Sequence, residues 1–296
     1  MKGIIRKLFS PNQEAEIPTQ PLDMNSHPNH QSGGENPLEP HQLVVCCGQS
    51  IGRQRNHNED ALFAMTTTLT GDNRVIPFGL YIVADGMGGH QHGEVASGVA
   101  IRTMATQLLN KLYLPLLSVK PVSPDESLQE IMQSSVQDAH IAILKQVPGG
   151  GTTLTAMLII GDQMTIAHVG DSRAYAITRD GQIDVLTRDH SLVKRLVELG
   201  QLSKDEAAIH PQRNVLYRAL GQGEPFEPDV KTIHLPGSGY LLLCSDGLWS
   251  VVPEHELYQI ITKAKSSEEA CKRLIEAANE AGGPDNISAI LIRLPG

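Results

Sequence analysis

Apolar residues along the chain fall into short runs with strand propensity, and between them lie longer segments with helical periodicity. Short apolar runs rich in β-branched residues and bounded by Gly, Asp or Asn predict strands. Such runs occur at 43–47, 62–68, 78–84, 153–160, 164–169, 173–178, 183–186, 230–234, 240–244 and 287–292. Gly-Asp at 161–162 and Asp-Gly at 180–181 separate successive runs, so these strands are expected to form antiparallel hairpins.

Apolar residues spaced three and four apart predict two pairs of helices. The helical segments are 93–113, 128–147, 253–263 and 267–281, the last preceded by Ser266 as a plausible N-cap. Strand-rich sequence separates the two pairs. The expected fold is therefore α+β, a four-layer α-β-β-α sandwich in which two antiparallel sheets lie face to face and a helix pair covers each.

The segment 1–42 is polar and has almost no apolar periodicity, so we predict a flexible leader before a single domain at 43–296. Its histidines, His27, His30 and His41, are expected to be solvated. The first nine residues are basic and half apolar, which is compatible with a weak contact to an anionic membrane or with a solvated tail.

A second polar segment, at about 187–220, contains short helical pieces at 190–199 and 203–208. It lies between a predicted hairpin and a returning strand. An insertion of this kind is either a flap that helps to select the substrate or a structural excursion.

The formal charge of −9 and the pI near 5.7 disfavour nucleic acid as a principal partner. No apolar stretch reaches the roughly 18 residues needed to span a bilayer. The four cysteines lack the spacing of a zinc site or a disulfide scaffold. A reducing compartment, the cytoplasm, is the expected location.

Two of the apolar runs end in the same way, at Asp85-Gly86 and at Asp246-Gly247. An acid at the end of a buried strand is held rigidly, and the glycine after it lets a ligand approach closely. The alternative is that Asp-Gly is only a turn pair. Further acids flank other strands, namely Glu59, Asp60, Asp171 and Asp285. Carboxylates in this number are the ligands that Mg²⁺ or Mn²⁺ prefers, so the acids predict a metal site.

A pair of cations about 4 Å apart can activate a water and stabilise an in-line phosphoryl displacement. Phosphate-ester hydrolysis is the natural chemistry for such a site. Arg55 offers a planar fork that matches phosphate oxygens, and its neighbour Arg53 offers the same chemistry.

Seven blocks of residues resemble the metal-dependent serine/threonine protein phosphatases, the PPM or type 2C family, in their compact bacterial form. They occur in the family's order across most of the segment 43–294. The blocks are 52–60 (Gly-x-x-Arg-x-x-Asn-Glu-Asp), 83–89 (Val-Ala-Asp-Gly-Met-Gly-Gly), 151–153 (Gly-Thr-Thr), 169–173 (Val-Gly-Asp-Ser-Arg), 186–190 (Leu-Thr-Arg-Asp-His), 244–248 (Cys-Ser-Asp-Gly-Leu) and 283–286 (Gly-Pro-Asp-Asn).

The resemblance implies two Mn²⁺ or Mg²⁺ ions per domain, and a third in bacterial members. Asp85 resembles the aspartate that bridges the first two ions, and the carbonyl of Gly86 resembles a ligand of the second. Asp246 and Asp285 resemble ligands of the first ion. Asp171, helped by Asp246, resembles the residue that holds the third.

The resemblance also assigns roles around the metals. Glu59 and Asp60 would orient metal-bound waters, Arg55 would bind the substrate phosphate, and Asn286 would support the site. The implied enzyme is a phosphoprotein phosphatase that hydrolyses phosphoserine and phosphothreonine with a metal-activated water. Its implied partners are phosphorylated proteins, among them a serine/threonine kinase or the substrates of that kinase, and we expect a monomer.

One position departs from the family. Some animal members have a histidine after Asp-Gly, proposed as the general acid, where this chain has Met87, and a thioether donates no proton. A metal-bound water, His90 or His92 could protonate the leaving alkoxide instead, and the sequence leaves this choice open.

Two other functions are compatible with parts of the sequence. Cys47 and Arg53 have the spacing of a thiolate phosphatase loop, in which Cys47 would be the nucleophile. A metal-binding sensor or scaffold of the same fold without catalysis is the other alternative.

Overall fold

The computed structural model describes residues 42–71, 74–88, 91–118, 124–223 and 226–295. The strands are β1 (Val44–Ser50), β2 (Ala61–Gly71), β3 (Arg74–Ala84), β4 (Gly86–Met87), β5 (Gly151–Thr152), β6 (Leu154–Ile160), β7 (Gln163–Val169), β8 (Arg173–Ile177), β9 (Ile183–Val185), β10 (Asp229–His234), β11 (Tyr240–Cys244) and β12 (Ile287–Arg293). The α-helices are α1 (Gln91–Leu108), α2 (Leu114–Leu116), α3 (Leu128–Gln146), α4 (Leu192–Glu198), α5 (Lys204–Ala208), α6 (Asp246–Trp249), α7 (Glu254–Lys263) and α8 (Ser267–Glu280). The predicted leader at 1–42, with its three histidines, lies outside the described residues except for residue 42, and His90 lies outside them too.

The longer strands form two five-stranded antiparallel sheets. The first has the order β1-β12-β11-β8-β9 and the second the order β10-β7-β6-β3-β2. The predicted hairpins are the pairs β6–β7 and β8–β9, and Gly161 occupies the left-handed region (φ +61°) in the first turn. The two-residue strands β4 and β5 also pair, and the sequence pattern does not predict them because two residues show no periodicity.

Alternation along the central strands divides the apolar side chains between three layers. In β3, Leu80 packs in the cluster that contains α1 and α3, whereas its neighbour Tyr81 faces the other sheet. In β11, Leu243 packs between the sheets and Leu242 packs against α7 and α8. The predicted four-layer α-β-β-α sandwich is therefore confirmed, with a helix pair on each outer face.

The helices begin where local capping favours them. Ser127 caps α3 with a capping box, in which its hydroxyl accepts from the Glu130 amide and the Glu130 carboxylate accepts from the Ser127 amide. Ser266 caps α8 as predicted, because its hydroxyl accepts from the Glu269 amide at 3.2 Å. Among the described helices, none combines the length and the apolar composition that a bilayer crossing needs.

Two details differ from the sequence-based expectation. The helix predicted from residue 190 begins at α4 (Leu192–Glu198), because the His190 amide donates to the Gly170 carbonyl at 2.7 Å instead of entering the helix. Helix α6 is not predicted at all, since four residues are too few to show a helical period. It places Asp246 in the first turn of a helix.

The apolar layer between the sheets makes a testable contribution to stability. Leu243 is completely buried there, so Leu243→Ala is expected to lower the free energy of unfolding by about 2–5 kcal/mol through lost transfer energy and a residual cavity. Urea denaturation would measure the change. Val185→Ala is the matched control, because Val185 lies in the same sheet with 41% exposure, and it should cost less than about 1 kcal/mol. Equal effects of the two substitutions would contradict this view of the core.

Candidate metal centre

The register of the second sheet brings two of the predicted acids together. Strands β2 and β3 pair so that Ala61 lies opposite Ala84. Asp60 immediately precedes Ala61, and Asp85 immediately follows Ala84. Although 25 positions apart in the chain, these aspartates therefore lie at the same end of one strand pair.

The register of the first sheet adds three more acids at the corresponding edge. Strand β11 pairs antiparallel with both β12 and β8 up to its last residue, Cys244. In antiparallel pairs the end of one strand lies beside the start of the next. Asp246, which follows β11, is thus close to Asp285 before β12 and to Asp171 before β8.

These residues surround an open cavity of about 490 Å³. Five acids line it, accompanied by an arginine and a histidine from the loop before β2 and by two residues of the segment 187–220. They are Glu59, Asp85, Asp171, Asp246, Asp285, Arg55, His57, Asn214 and Leu216. The predicted flap segment thus contributes directly to the wall of the site.

Backbone hydrogen bonds fix the position of Asp85. Its amide donates to Thr153 Oγ1 at 2.9 Å, and its carbonyl accepts from the Thr153 amide at 2.8 Å and from Thr152 Oγ1 at 2.9 Å. Gly86 packs so tightly that an added Cβ would collide with the carbonyl oxygens of Gly93 and Glu59. Close packing with the start of α1 therefore requires the glycine of this Asp-Gly pair.

Asn286 ties the loop of Asp285 to the loop before β2. Its side-chain amide donates to the carbonyls of Ile51 (2.8 Å) and His57 (2.9 Å), and its Oδ1 accepts from the Glu59 amide at 2.8 Å. Asn286 is only 4% exposed, so water does not replace these bonds easily. The asparagine positions both the Glu59 and the Asp285 sides of the cavity.

Trp249 connects the acids at 171 and 246. It lies at the end of α6, three residues after Asp246, and its Nε1 donates to the Asp171 carbonyl at 2.9 Å. The Arg173 guanidinium stacks on the indole, 3.5 Å from the ring centroid, and forms a two-bond ion pair with Asp189. Helix α6 and the bond from Trp249 thus fix the position of Asp171 relative to Asp246.

The first residues of the segment 187–220 hold the Asp171 loop from the other side. The Gly170 amide donates to His190 Nδ1 at 3.1 Å, and the His190 amide donates back to the Gly170 carbonyl. His190 Nε2 in turn contacts Asp229 Oδ2 at 3.1 Å. Since Gly170 directly precedes Asp171, the base of the predicted flap and this acid form one hydrogen-bonded unit.

The two candidate phosphate-binding arginines have different partners. Arg55 lines the cavity, and its Nη2 donates to Asp285 Oδ2 at 2.7 Å while the side chain is 51% exposed. Arg53 donates from Nε to the carbonyl of Asn279 at 2.8 Å, and it is not among the residues that line the cavity. Of the two, Arg55 is therefore placed to meet a bound phosphate.

The cluster raises the pKa of its own carboxyls. Burial, with smaller contributions from neighbouring carboxylates, raises the pKa of Asp60 to about 7. Burial and the charge of Asp285 raise the pKa of Asp246 to about 6. Burial, followed by the charge of Asp60, raises the pKa of Asp85 well above its ordinary value. Burial likewise raises the pKa of Asp171, and the charge of Asp246 adds to this.

The donor set fits hard divalent cations. All five acids of the cavity wall offer oxygen, and Asp246 Oδ1 is a buried oxygen for which no hydrogen-bond partner is found among the described residues. Among the described residues, no group of three His, Cys, Asp or Glu side chains already has the geometry to hold a metal ion. The Asp285 carboxylate is paired instead with Arg55, whose Nη2 lies 2.7 Å from Asp285 Oδ2.

Asp60 lies behind the cavity wall, in contrast to its neighbour Glu59. Its Oδ2 accepts from the Ser245 hydroxyl at 2.7 Å, the residue is 8% exposed, and it is not among the residues lining the cavity. Ser245 immediately precedes Asp246. Asp60 is thus close enough to influence the charge of the cluster and to fix the start of α6.

The thiolate alternative finds no support in the geometry. Cys47 lies within β1, opposite Ile290 of β12, and burial followed by the neighbouring Cys46 raises the pKa of its thiol. A nucleophilic cysteine needs a lowered pKa. Arg53, the phosphate-binding residue of that alternative, donates instead to the Asn279 carbonyl.

Among the described histidines, His57 lines the cavity, and the sequence patterns do not identify it as a site residue. Met87 does line it, and its sulfur contacts Gln222 Nε2 at 3.4 Å, but His92 is exposed and outside the lining. His57 lines the cavity, with its Nε2 3.0 Å from Glu59 Oε1. The available signal was its place between Arg55 and Glu59 in the first motif.

Comparison with known proteins agrees with the fold and the site. The profile of the family described as Protein phosphatase 2C matches residues 45–287. The serine/threonine phosphatase Stp of Listeria monocytogenes serotype 4b is 38% identical over 247 residues, which are 81% of this chain and 92% of that protein. Protein phosphatase PhpP of Streptococcus pneumoniae serotype 2 is 35% identical over 245 residues, which are 82% of this chain and 94% of that protein.

Solved structures show the same likeness. The serine/threonine phosphatase PstP/Ppp of Mycobacterium tuberculosis gives a TM-score of 0.72 at 31% identity and covers 86% of this chain and 100% of its own. The catalytic domain of PstP in complex with two manganese ions gives a TM-score of 0.70 at 29% identity, with the same coverage.

The family match, together with the acids gathered at one sheet edge, identifies a metal-dependent phosphatase. The chain belongs to the protein phosphatase 2C family. The predicted family and enzyme class are thereby confirmed, and the protein is a serine/threonine protein phosphatase.

The raised pKa values predict an unusual pH dependence of stability without metal. A carboxyl whose folded pKa is raised binds its proton more tightly in the folded state, so its contribution is lost as pH rises through that pKa. Asp60, with an ordinary value near 4 and a folded pKa of about 7, should cost the protein roughly 3 kcal/mol between pH 4 and pH 7.5. Urea denaturation at several pH values, in chelator, would measure this cost.

Asp60→Asn provides the control for the pH experiment. Burial lowers the pKa of His168 to about 4, so this histidine makes the protein more stable as pH rises, opposite to the effect of Asp60. Both proteins contain His168. The difference between their stability curves therefore reports the contribution of Asp60 alone better than either curve does. The variant should gain stability relative to the parent as pH rises. Parallel stability curves would contradict the assigned shift.

Proposed function

We propose that the chain hydrolyses phosphoserine and phosphothreonine in proteins at a centre of two Mn²⁺ or Mg²⁺ ions. Asp85, the Gly86 carbonyl, Asp246 and Asp285 would hold this pair, and Asp171, helped by Asp246, would hold a weaker third ion. Bound there, the cations would lower the pKa of a water and stabilise the charge of an in-line displacement at phosphorus.

The observation that carries the proposal is the gathering of five acids around one cavity. Each lies at a strand end or a loop that other hydrogen bonds hold in place, so the cluster persists although burial and neighbouring carboxylates raise the pKa of Asp85, Asp171 and Asp246. Divalent cations relieve both costs, because they neutralise the charge and supply partners for the oxygens. The metal-binding scaffold without catalysis shares this site but does not explain the arginine beside it.

Arg55 would bind the substrate phosphate. Its guanidinium is half exposed and already at the cavity wall, where it neutralises Asp285. When Asp285 ligates a cation, the same guanidinium can turn its planar fork to a phosphate oxygen. A positive charge would then lie beside Asp285, from the cation, and beside the phosphate, from Arg55.

Glu59 and Asp60 would orient the attacking water, from different distances. Glu59 lines the cavity, and the bond from its amide to Asn286 fixes its backbone. Asp60 acts from behind the wall, where its carboxylate accepts from Ser245 and sets the position of the residue next to Asp246. Orienting groups of this kind reduce the entropy cost of bringing water to phosphorus.

The finer features are proposed with the function. Residues 43–296 would form one phosphatase domain after the leader, with a flap at about 187–220, and the match at 45–287 supports this division. Phosphoproteins of a serine/threonine kinase pathway are the proposed partners. The cytoplasm is the proposed compartment, supported by four free thiols at 46, 47, 244 and 271. A monomeric state and the lack of a nucleic-acid partner remain predictions.

A phosphatase assay tests the proposal. Peptides carrying phosphoserine, phosphothreonine or phosphotyrosine are incubated with the protein, with and without Mn²⁺. We expect metal-dependent release of phosphate from the first two. Asp85→Ala and Asp246→Ala should each lower kcat by at least about 100-fold, the order expected when a preorganised charged group at the reacting centre is lost.

Two variants serve as controls for that assay. Asp184→Ala removes an exposed carboxylate of β9 that does not line the cavity, and Cys47→Ser removes the rival nucleophile. Both should retain activity. Activity that survives in Asp85→Ala, or that disappears in Cys47→Ser, would refute the metal mechanism.

Metal binding can be followed without turnover, because Trp249 is the single tryptophan of the chain. Its indole donates to the Asp171 carbonyl and closes the helix that begins at Asp246, so ligation at either acid should change its fluorescence. Titration with Mg²⁺ is expected to give a saturable change in the parent and in Asp184→Ala, but none in Asp246→Ala. An unresponsive parent would contradict metal binding beside this residue.

A further inference from the structure

His57 lies on the cavity wall between the arginine proposed to bind phosphate and the acid proposed to orient water. Arg55, His57 and Glu59 all line the cavity, and they alternate with two asparagines in one loop. The imidazole is about one-third exposed (37% of the side chain), so it is accessible from the open side of the cavity. Within the described residues, no other histidine lines this space.

The ring and the backbone of His57 are both held. Nε2 lies 3.0 Å from Glu59 Oε1, and the His57 carbonyl accepts from the Asn286 side chain at 2.9 Å. The same asparagine accepts from the Glu59 amide. One buried residue therefore fixes both members of the His57–Glu59 pair relative to Asp285.

The pairing of an imidazole with a carboxylate suits proton donation. The carboxylate orients the ring, keeps a proton on the bonded nitrogen and stabilises the imidazolium, as the acid does in a serine hydrolase triad. The His57–Glu59 pair has this arrangement at the edge of a phosphate-binding cavity, and neither residue is needed to complete the apolar core.

The chemistry requires a proton at this place. The alkoxide of serine or threonine is a poor leaving group, and general acids commonly accelerate such steps by about 10²–10⁴-fold. Met87 has no proton to give, and of the described histidines that could serve, His57 lines the cavity whereas the exposed His92 does not. His90 and a metal-bound water stay as rivals, and a leaving-group-dependent loss in His90→Gln would assign the proton to His90.

We propose that His57, held by Glu59, is the proton donor to the leaving oxygen of the substrate, an inference that rests on the proposed phosphatase function. As the phosphorus–oxygen bond breaks, its electron pair goes to the serine or threonine oxygen, which takes the proton from His57 Nδ1 while Nε2 stays bonded to Glu59. The oxygen of the attacking water forms the new bond to phosphorus. A proton released by that water restores the imidazolium, so phosphate and the free hydroxyl are the only products.

The leaving group distinguishes proton donation from other roles. The variant His57→Gln keeps an amide that can bond to Glu59 but has no titratable proton. The p-nitrophenolate ion is a good leaving group and needs no proton. Phenolate and the threonine alkoxide are more basic, so their departure depends on protonation. We expect kcat/KM to fall by about 100-fold or more for phenyl phosphate and a phosphothreonine peptide, but by less than about threefold for p-nitrophenyl phosphate.

Two matched variants accompany His57→Gln. His92→Gln tests the rival donor, and His255→Gln removes an exposed histidine of α7, far from the cavity lining. Both should leave the ratio of the phenyl and p-nitrophenyl rates unchanged. Calorimetric titration with Mn²⁺ should give the same affinity for His57→Gln as for the parent, because His57 is not proposed as a ligand.

Each other outcome overturns the inference. Equal losses on all three substrates, or a loss of Mn²⁺ affinity, would show that His57 only supports the site. Unchanged rates would show that it takes no part, and a leaving-group-dependent loss in His92→Gln would assign the proton to that residue. A parent protein without metal-dependent activity would refute the proposed function itself, and it is recognised before any variant is compared.

Discussion

The electrostatic cost of bringing several carboxylates to one sheet edge is the constraint on which the site depends. Asp60 is buried, and Asp85 and Asp246 line the same cavity in front of it. Desolvation and like charge both disfavour ionisation there, which is why the pKa values rise. A fold that retains such a cluster must hold each acid through contacts that do not depend on the ionisation of its carboxyl group.

Backbone contacts provide that support. The Asp85 amide and carbonyl are fixed by the threonines at 152 and 153, and the Asp171 carbonyl is fixed by Trp249. Asn286 joins the loops on either side of Asp285. The neighbouring groups therefore determine through backbone contacts where Asp85 and Asp171 lie.

The architecture separates stability from chemistry. The apolar layers between the sheets and under the helices stabilise the fold, and the acids of the cavity lie at one edge, where strands end and loops begin. His190 and Asp189 connect the segment 187–220 to the Asp171 loop, so the base of this segment and that loop share one hydrogen-bond network. Asn214 and Leu216 of the same segment line the cavity.

The sequence by itself determined the sandwich and the acids at 85 and 246, because apolar alternation and strand-terminal Asp-Gly pairs are local patterns. It also identified Asp171 and Asp285 beside predicted strands, and the resemblance favoured Arg55 over Arg53. Only the tertiary structure decided that Asp60 lies behind the cavity wall and that His57 lies on it. Helix α6 and the β4–β5 pair also escaped the pattern, since they are too short to have a period. Which side chain of a loop faces a cavity depends on strand register and on contacts such as Asn286–His57, which join residues 229 positions apart.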